Sequence, residues 1–516
     1  MNIKRAKEEI QHTIEAYLKK DEFGNYKIPP IHQRPLLLIG PPGIGKTAIM
    51  EQIAKECKIG LVSYTITHHT RQSAIGLPFI EEKEFGGKKY HVTEYTMSEI
   101  IASIYEKIEE TGLKEGILFL DEINCVSETL APTMLQFLQG KMFGNHKVPE
   151  GFVIVSAGNP PEYNRSVREF DIVTLDRVRK MEIEEDYQVF KEYGYKNGVH
   201  DSILSYLELK KENFYRIETT VDGKSFVTAR GWEDLSRMLY LYEEMGIAID
   251  EELIYQYLQH RKTAKDFCAY YELYKKYKTE YKIGELLDGK EPVEVSEKLT
   301  KSTFDEKISV VSLLIGKLTE SFKETEQIDW FVSSLYEKLQ LIKGILLKED
   351  DIVLPVGVEA AIFDKTPVAV IETIIEKAEK EYKQAKRAGV LSKEEEKIKL
   401  QVIKMLEKYV YAMKEAGSTS GEEAMGVIRP LFGEEAVKRE SIIEMAGNQL
   451  KIAFDFMEKN FGESQEMVIF LTELTANYYS MNYIREYGSE EYYQYHKNLL
   501  LSEKKEELLR EIKMTL

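Results

Sequence analysis

The chain has 516 residues, of which 43% are hydrophobic and 31% charged, and a formal net charge of −18. That length implies about three domains of ordinary globular composition. The acidic balance speaks against a general binder of phosphate backbones, which needs a basic face, so nucleic acid is not an expected partner. Three widely spaced cysteines, Cys57, Cys125 and Cys268, match neither a disulfide framework nor a zinc pattern, and Cys57 and Cys125 are expected as buried free thiols. No stretch approaches the ~18 apolar residues that a membrane span requires, and no apolar leader core follows Met1. A cytoplasmic location without a membrane partner is the expectation.

In chain order, residues 2–20 read as an amphipathic helix with Ile3, Ala6, Ile10, Ile14 and Tyr17 on one stripe. Pro29-Pro30 ends this lead-in, and the apolar run Pro35-Leu36-Leu37-Leu38-Ile39 reads as a buried parallel strand. It enters Gly40-Pro41-Pro42-Gly43-Ile44-Gly45-Lys46-Thr47, which has the form G-x-x-x-x-G-K-[ST], and Thr47-Ala48-Ile49-Met50 then starts a helix. Glycines let successive backbone N–H groups turn towards phosphate oxygens, and the helix N-terminus adds the positive end of its dipole. Lys46 suits the β- and γ-phosphates of a nucleoside triphosphate, and the Thr47 hydroxyl suits Mg²⁺. A chance glycine-rich turn is the bland alternative, but it would not supply strand, end glycines, lysine and hydroxyl in this order. Gly40, Pro41, Pro42, Gly43, Ile44, Gly45, Lys46, Thr47 and Ala48 are the candidate nucleotide-binding set.

Leu61–Thr65 reads as a second strand, and Phe85-Gly86-Gly87-Lys88 offers a hairpin turn between two extended arms. Ile100, Ile101, Ile104 and Ile108 mark a helix. In Gly116-Ile117-Leu118-Phe119-Leu120-Asp121-Glu122, four apolar residues end in two carboxylates, at the carboxyl edge of a strand where ligands of open α/β sheets bind. Asp121 suits the role of Mg²⁺ partner and Glu122 that of polarising the attacking water. An acidic pair can simply cap a following helix; its place downstream of a phosphate loop favours the functional reading. Leu135–Gly140 ends a helix, and Phe143–Pro149 gives a second turn with short arms. The strand Phe152–Ala157 ends in Gly158-Asn159-Pro160, where Asn159 either orients water or is a turn residue before proline. Leu175-Asp176-Arg177-Val178-Arg179 leads into a short strand near Met181–Ile183. Residues 185–260 then read as helices, with Thr228 an N-cap.

Taken together, these elements resemble AAA+ ATPases over about residues 30–260. Gly40–Thr47 is similar to their Walker A, Leu118–Glu122 to Walker B, Leu175–Val178 to their "LDRF" element and Thr228–Trp232 to their sensor-2 element. The two hairpin-like pieces stand where the MoxR-type, dynein-related branch carries a helix-2 insert (70–95) and a presensor-1 insert (139–151). The resemblance implies an α/β fold: a P-loop parallel-sheet core over 30–185, behind an N-terminal helix and linker at 1–29. A small helical lid over 186–260 and a large all-helical region over 261–516 would follow. It implies ATP hydrolysis with Mg²⁺ held by Thr47 and Asp121, Glu122 as catalytic base, Asn159 as sensor 1 and Arg230 as sensor 2. Arg177 would be the arginine finger offered to a neighbouring subunit. It further implies a homo-oligomeric ring, a hexamer, remodelling a protein client or a partner with a von Willebrand factor A domain. Val178 stands where the family has Phe and Ala229 where it has Pro, and Arg165, Arg168 and Arg179 are near enough to compete for the finger role.

Beyond 260 no catalytic motif is visible. Ile308, Val311, Ile315, Leu318 and Phe322 recur at helical spacing, as do Val368, Ile371, Ile375 and Ala378, and Ile398, Val402, Met405 and Tyr409 behind a capping box at Ser392 and Glu395. Gly417–Gly421 is a break and a candidate sub-boundary, and the tyrosines from Tyr478 to Tyr495 are expected to pack between helices. Two rival functions are a nucleic-acid-dependent motor and a nucleotide-gated scaffold with little turnover. The acidic charge opposes the first, and the presence of Glu122 and Asn159 opposes the second.

Overall fold

Short, wholly apolar runs build the central sheet, because a strand covered on both faces has no polar side to alternate with. A computed structural model describes residues 1–497 except 69–70, 164–166, 168–169, 221–222, 291–292, 349–352, 356–357 and 359. The strands in chain order are β1 (Leu36–Ile39), β2 (Gly60–Thr65), β3 (Pro78–Phe85), β4 (Lys88–Tyr95), β5 (Gly116–Asp121), β6 (Met142–Phe143) and β7 (His146–Lys147). They continue with β8 (Phe152–Gly158), β9 (Arg179–Glu182), β10 (Arg216–Thr220) and β11 (Gly223–Val227).

The central sheet has the order β2-β5-β8-β1-β9, and all its pairs are parallel. β8 is buried along its whole length between β5 and β1. The helix Lys46–Cys57 carries the chain from β1 to the far edge at β2, whereas β9 adds on the other side of β1. The order thus reverses beside β1, which opens a crevice at the carboxyl ends of the strands. Ile100, Ile101 and Ile104 of the helix Glu99–Thr111 are fully buried in this core, as the sequence pattern predicts.

Both expected hairpins form. β3 and β4 pair antiparallel around Gly86 and Gly87, whose positive φ values of 59° and 78° suit glycine at a two-residue turn. β6 and β7 form the second, fixed to the core by Phe143 stacked on Phe137 at 4.0 Å between ring centroids. The two hairpins touch, with His146 Nε2 3.1 Å from Tyr95 O and a hydrogen bond from Asn145 to Glu94.

The chain divides into two compact units, Met1–Val189 with Lys380–Glu396, and Phe190–Glu379 with the residues from Lys397 on. In the first, the helix Ile3–Leu18 buries Ala6, Ile10, Thr13 and Ile14, and the capping box is formed: Glu395 N donates to Ser392 Oγ at 3.1 Å and Ser392 N to Glu395 Oε2 at 2.7 Å. The second is organised on the 44-residue helix Phe304–Leu347, which packs against the helices Asp201–Leu209, Arg261–Tyr281, Gly421–Phe461, Gln465–Ala476 and Tyr478–Tyr487. Trp232 is fully buried there, its Nε1 donating to Asn213 O and Phe214 O, both at 3.2 Å.

Three details differ from expectation. Residues 185–260 are not all helical: β10 and β11 form an antiparallel hairpin in which Ile217 pairs with Phe226, and the helix after it starts only at Ala229. Cys57 and Cys125 are half-buried rather than buried, Cys57 as the last residue of its helix and Cys125 in the loop after β5. The tyrosine-rich stretch packs as expected through Tyr479, Tyr483 and Tyr492, with Tyr483 stacked on Phe322, but Tyr478 and Tyr493 are exposed.

A buried ion pair ties the second unit together. Lys191 Nζ, its side chain 1% exposed, donates to Glu473 Oε1 at 2.6 Å and Glu208 Oε2 at 2.9 Å. Burial pushes the Glu473 carboxyl above the ordinary range, against the pull of Lys191. Removing the cation leaves a buried carboxylate unpaired, so Lys191→Ala is expected to lower stability by ~3–5 kcal/mol in denaturant unfolding. A carboxyl raised in the folded state favours folding below its unfolded value and loses that contribution as pH rises through the folded value. The deficit of Lys191→Ala should therefore be smaller at pH 5 than at pH 8; an equal deficit at both would exclude Glu473 as its origin.

Candidate functional site

The ends of β1, β5 and β8 bring together residues that are far apart in sequence. After β1 the chain turns through Gly43 and Gly45, both left-handed at φ 74° and 95°, and enters the helix Lys46–Cys57, which has no side-chain cap at Gly45. Gly40 is required for another reason: a Cβ there would lie 2.7 Å from Ile183 O and 2.9 Å from Ile183 Cβ. Lys46 is buried, and its Nζ donates to Gly40 O and Pro41 O at 2.7 Å and to Asn159 Oδ1 at 2.9 Å. Ile44 is buried against the loop, whereas Pro42 is partly exposed and Ala48 exposed.

Thr47 Oγ1 donates to Asp121 Oδ2 at 2.9 Å, joining the first helical turn to the end of β5. Asp121 Oδ1 accepts from the backbone N of Glu122 at 2.9 Å. Glu122 itself has a left-handed backbone, φ 56°, which a non-glycine residue holds at a cost of ~1–3 kcal/mol and which clusters at functional sites. Glu122 Oε2 accepts from Thr67 Oγ1, just past β2, at 3.1 Å. The turn continues with Ile123 N donating to Ala157 O at 2.9 Å, and Asn124 Nδ2 to Asn159 O at 2.8 Å. Thr67 and Asn124 were not singled out from sequence. Neither lies in a local motif, and only strand order brings them to the carboxylates and to Asn159.

The arginines fall elsewhere. Parallel pairing sets Leu36 level with Arg179 and Ile39 level with Glu182. Arg177 thus precedes β9 at the amino end of the sheet, and the phosphate loop leaves β1 at the carboxyl end, about 13 Å further along at ~3.3 Å per residue. Arg177 is exposed, and its side chain makes no hydrogen bond or ion pair among the described residues. Its charge helps hold Asp171 below the ordinary carboxylate range, chiefly an effect of hydrogen bonds from Thr174. Arg179 is committed to the N-terminal helix, pairing with Glu9 Oε2 at 2.6 Å and bonding Thr13. Arg165 and Arg168 lie outside the described residues. Arg230 belongs to the second unit, exposed on the first turn of the helix Ala229–Met245, whose N-cap is Thr228.

A five-stranded parallel sheet with a glycine loop and lysine after β1, and a carboxylate pair at the end of β5, defines a nucleotide-binding domain of the P-loop class. Residues 36–175 match the model of the ATPase family associated with various cellular activities (AAA). No curated protein matches the chain. The matched stretch contains the phosphate loop, Asp121, Glu122 and Asn159 and ends two residues before Arg177. Among the described residues no helix is long and apolar enough to cross a membrane, and no cluster of three or more His, Cys, Asp or Glu could hold a metal ion.

The close approach of Gly40 to Ile183 yields a direct test. Gly40→Ala should overpack this contact, at ~1–3 kcal/mol locally, and shift two of the three acceptors of Lys46. Binding of a fluorescent ATP analogue should weaken by about tenfold or more, since ~1.4 kcal/mol corresponds to tenfold. Unchanged affinity would mean that the loop tolerates displacement.

Proposed function

We propose that the chain is an ATP-hydrolysing AAA-type ATPase that assembles into a homo-oligomeric ring and remodels a protein partner. The carrying observation is the convergence of Lys46, Thr47, Asp121, Glu122 and Asn159 at the ends of three neighbouring strands. Lys46 lies where it can bind the β- and γ-phosphates, and the uncapped N-terminus of its helix offers backbone N–H groups to the same oxygens. The adjoining Thr47 hydroxyl and Asp121 carboxylate are hard oxygen donors, a fit for Mg²⁺, which takes one or two protein oxygens and completes its shell with phosphate and water. Held there, the ion would neutralise charge on the phosphates. Glu122 is the base that takes the proton of the attacking water, and its hydrogen bond from Thr67 sets where that carboxylate rests. Asn159, bonded to Lys46, orients water at the γ-phosphate.

Arg177, at the opposite end of the strands from its own phosphate loop, suits a neighbour's nucleotide. A guanidinium matches phosphate oxygens with its fork of donors and stays charged at physiological pH. AAA proteins typically oligomerise into rings, and a head-to-tail interface can close one. The tie of Arg179 to the N-terminal helix favours Arg177 over Arg179. We take the ring as a hexamer, and Arg230 as the arginine of the second unit that senses nucleotide. The exposed Leu77, Phe79, Ile80, Phe85 and Tyr90 on the β3–β4 hairpin support a protein client, since apolar tips can grip unfolded or loosely held chain. A MoxR-like chaperone role, with a partner bearing a von Willebrand factor A domain, fits these features.

Two experiments test this reading. Lys46→Ala should abolish nucleotide binding, whereas Glu122→Gln should retain binding and lose hydrolysis. A Glu122→Gln protein that turned over ATP at the parent rate would remove Glu122 from the base role. ATPase activity per subunit should also rise with protein concentration, because a trans arginine contributes roughly 10³–10⁵ in rate. Arg177→Ala subunits should be partly rescued by mixing with Glu122→Gln subunits. Activity independent of concentration, or absence of rescue in mixtures that co-assemble, would defeat the shared site.

A further inference from the structure

Asn124 is nearly fully buried, three residues past the end of β5, and its side chain faces β8. Its Nδ2 donates to Asn159 O at 2.8 Å. On its other side the amide lies against Gly158, where an added Cβ would be 2.7 Å from Asn124 Cγ. Gly158 therefore has to be glycine for Asn124 to occupy this position, although its own backbone does not require it. Gly158 O in turn accepts from Gly40 N at 3.3 Å, and Asn159 Oδ1 accepts from Lys46 Nζ at 2.9 Å. One buried side chain thus ties the loop after β5 to the loop after β8, which is bonded to the phosphate loop at two points.

We propose that Asn124 is a positioning residue for ATP hydrolysis, holding the Asn159 backbone so that the Asn159 amide stays on Lys46 and on the water beside the γ-phosphate. The proposal rests on the ATPase reading above. Pro160 and Pro161 follow Asn159 and stiffen the chain beyond it, and the bond from Asn124 adds a tie from the neighbouring strand connection to the Asn159 carbonyl itself. Glu122 lies two residues before Asn124 in the same turn, and the left-handed backbone at Glu122 turns the chain back towards β8. The residue that positions Asn159 and the residue that takes the proton are therefore set by one short segment. Displacement of Asn124 changes the angle at which Asn159 meets the water, while the phosphates stay bound by Lys46 and the helix N-terminus.

The test compares kcat for ATP with the affinity for a fluorescent ATP analogue in the full chain. Asn124→Ala should lower kcat by about tenfold, the effect of losing one buried hydrogen bond, and change nucleotide affinity by less than about threefold. Adding Asn124→Ala to Asn159→Ala should cost nothing further, because the first residue acts only through the second. Gly158→Ala, which displaces Asn124 without removing it, should reproduce the kcat loss, and Gly158→Ala with Asn124→Ala should be no slower than Asn124→Ala alone. Losses that add in the Asn124→Ala, Asn159→Ala double variant would overturn the proposal, as would an unchanged kcat in Asn124→Ala. An equal loss of kcat and affinity, with a lowered unfolding midpoint, would make Asn124 a general support of the fold and overturn it too. A parent chain that binds the analogue but hydrolyses no ATP would overturn the ATPase reading itself, a result distinguishable from a parent that hydrolyses while Asn124→Ala is silent.

Discussion

The buried ammonium of Lys46 is the constraint on which the site depends. A charge removed from water has to be surrounded by acceptors, and Gly40 O, Pro41 O and Asn159 Oδ1 supply them. Two of these come from the loop after β1 and the third from the loop after β8, so the contact exists only if those strands are neighbours. Their parallel register places Ile39 opposite Gly158, which aligns the two loops at one edge. The sheet order and the position of one cation are in this sense a single requirement.

The carboxylate side follows the same logic. β5 lies on the other flank of β8, with Leu120 level with Ser156, so Asp121 and Glu122 leave the sheet just where Asn159 does. Thr47 then reaches Asp121, and Thr67 past the neighbouring β2 reaches Glu122. Each polar side chain at the edge has a partner on a different strand connection. The site is thereby anchored to the sheet beneath it: Lys46 and Thr47 open a helix, Asp121 ends β5, and Glu122 and Asn159 stand on the loops just beyond their strands.

Legibility in the sequence followed the range of the interactions. Gly40–Thr47 was readable because strand, turn and helix are contiguous and Gly43 and Gly45 answer a local need for a left-handed backbone, although Gly40 answers a distant one, Ile183. Asp121 and Glu122 were readable as a hydrophobic run ending in charge, and the Gly86-Gly87 and Gly144-Asn145 turns as breaks between short arms. Asn124, by contrast, looks like an ordinary polar residue after a strand, and Thr67 like part of a loop; their meaning appears only once β2, β5 and β8 are side by side. Arg179 resembled Arg177 in sequence and differs from it through Glu9, which lies 170 residues earlier. The β10–β11 hairpin was hidden between longer helical runs because each of its arms has only five residues.

The helix Phe304–Leu347 has a mechanical consequence. Forty-four residues at ~1.5 Å rise make a rod ~66 Å long, and a tilt of ~10° about one end sweeps the other through ~11 Å. It contains no proline to act as a joint, and Asp201–Leu209 and Arg261–Tyr281 are bolted along it. A small rotation at one end of this unit would be delivered undiminished, as leverage, to the other.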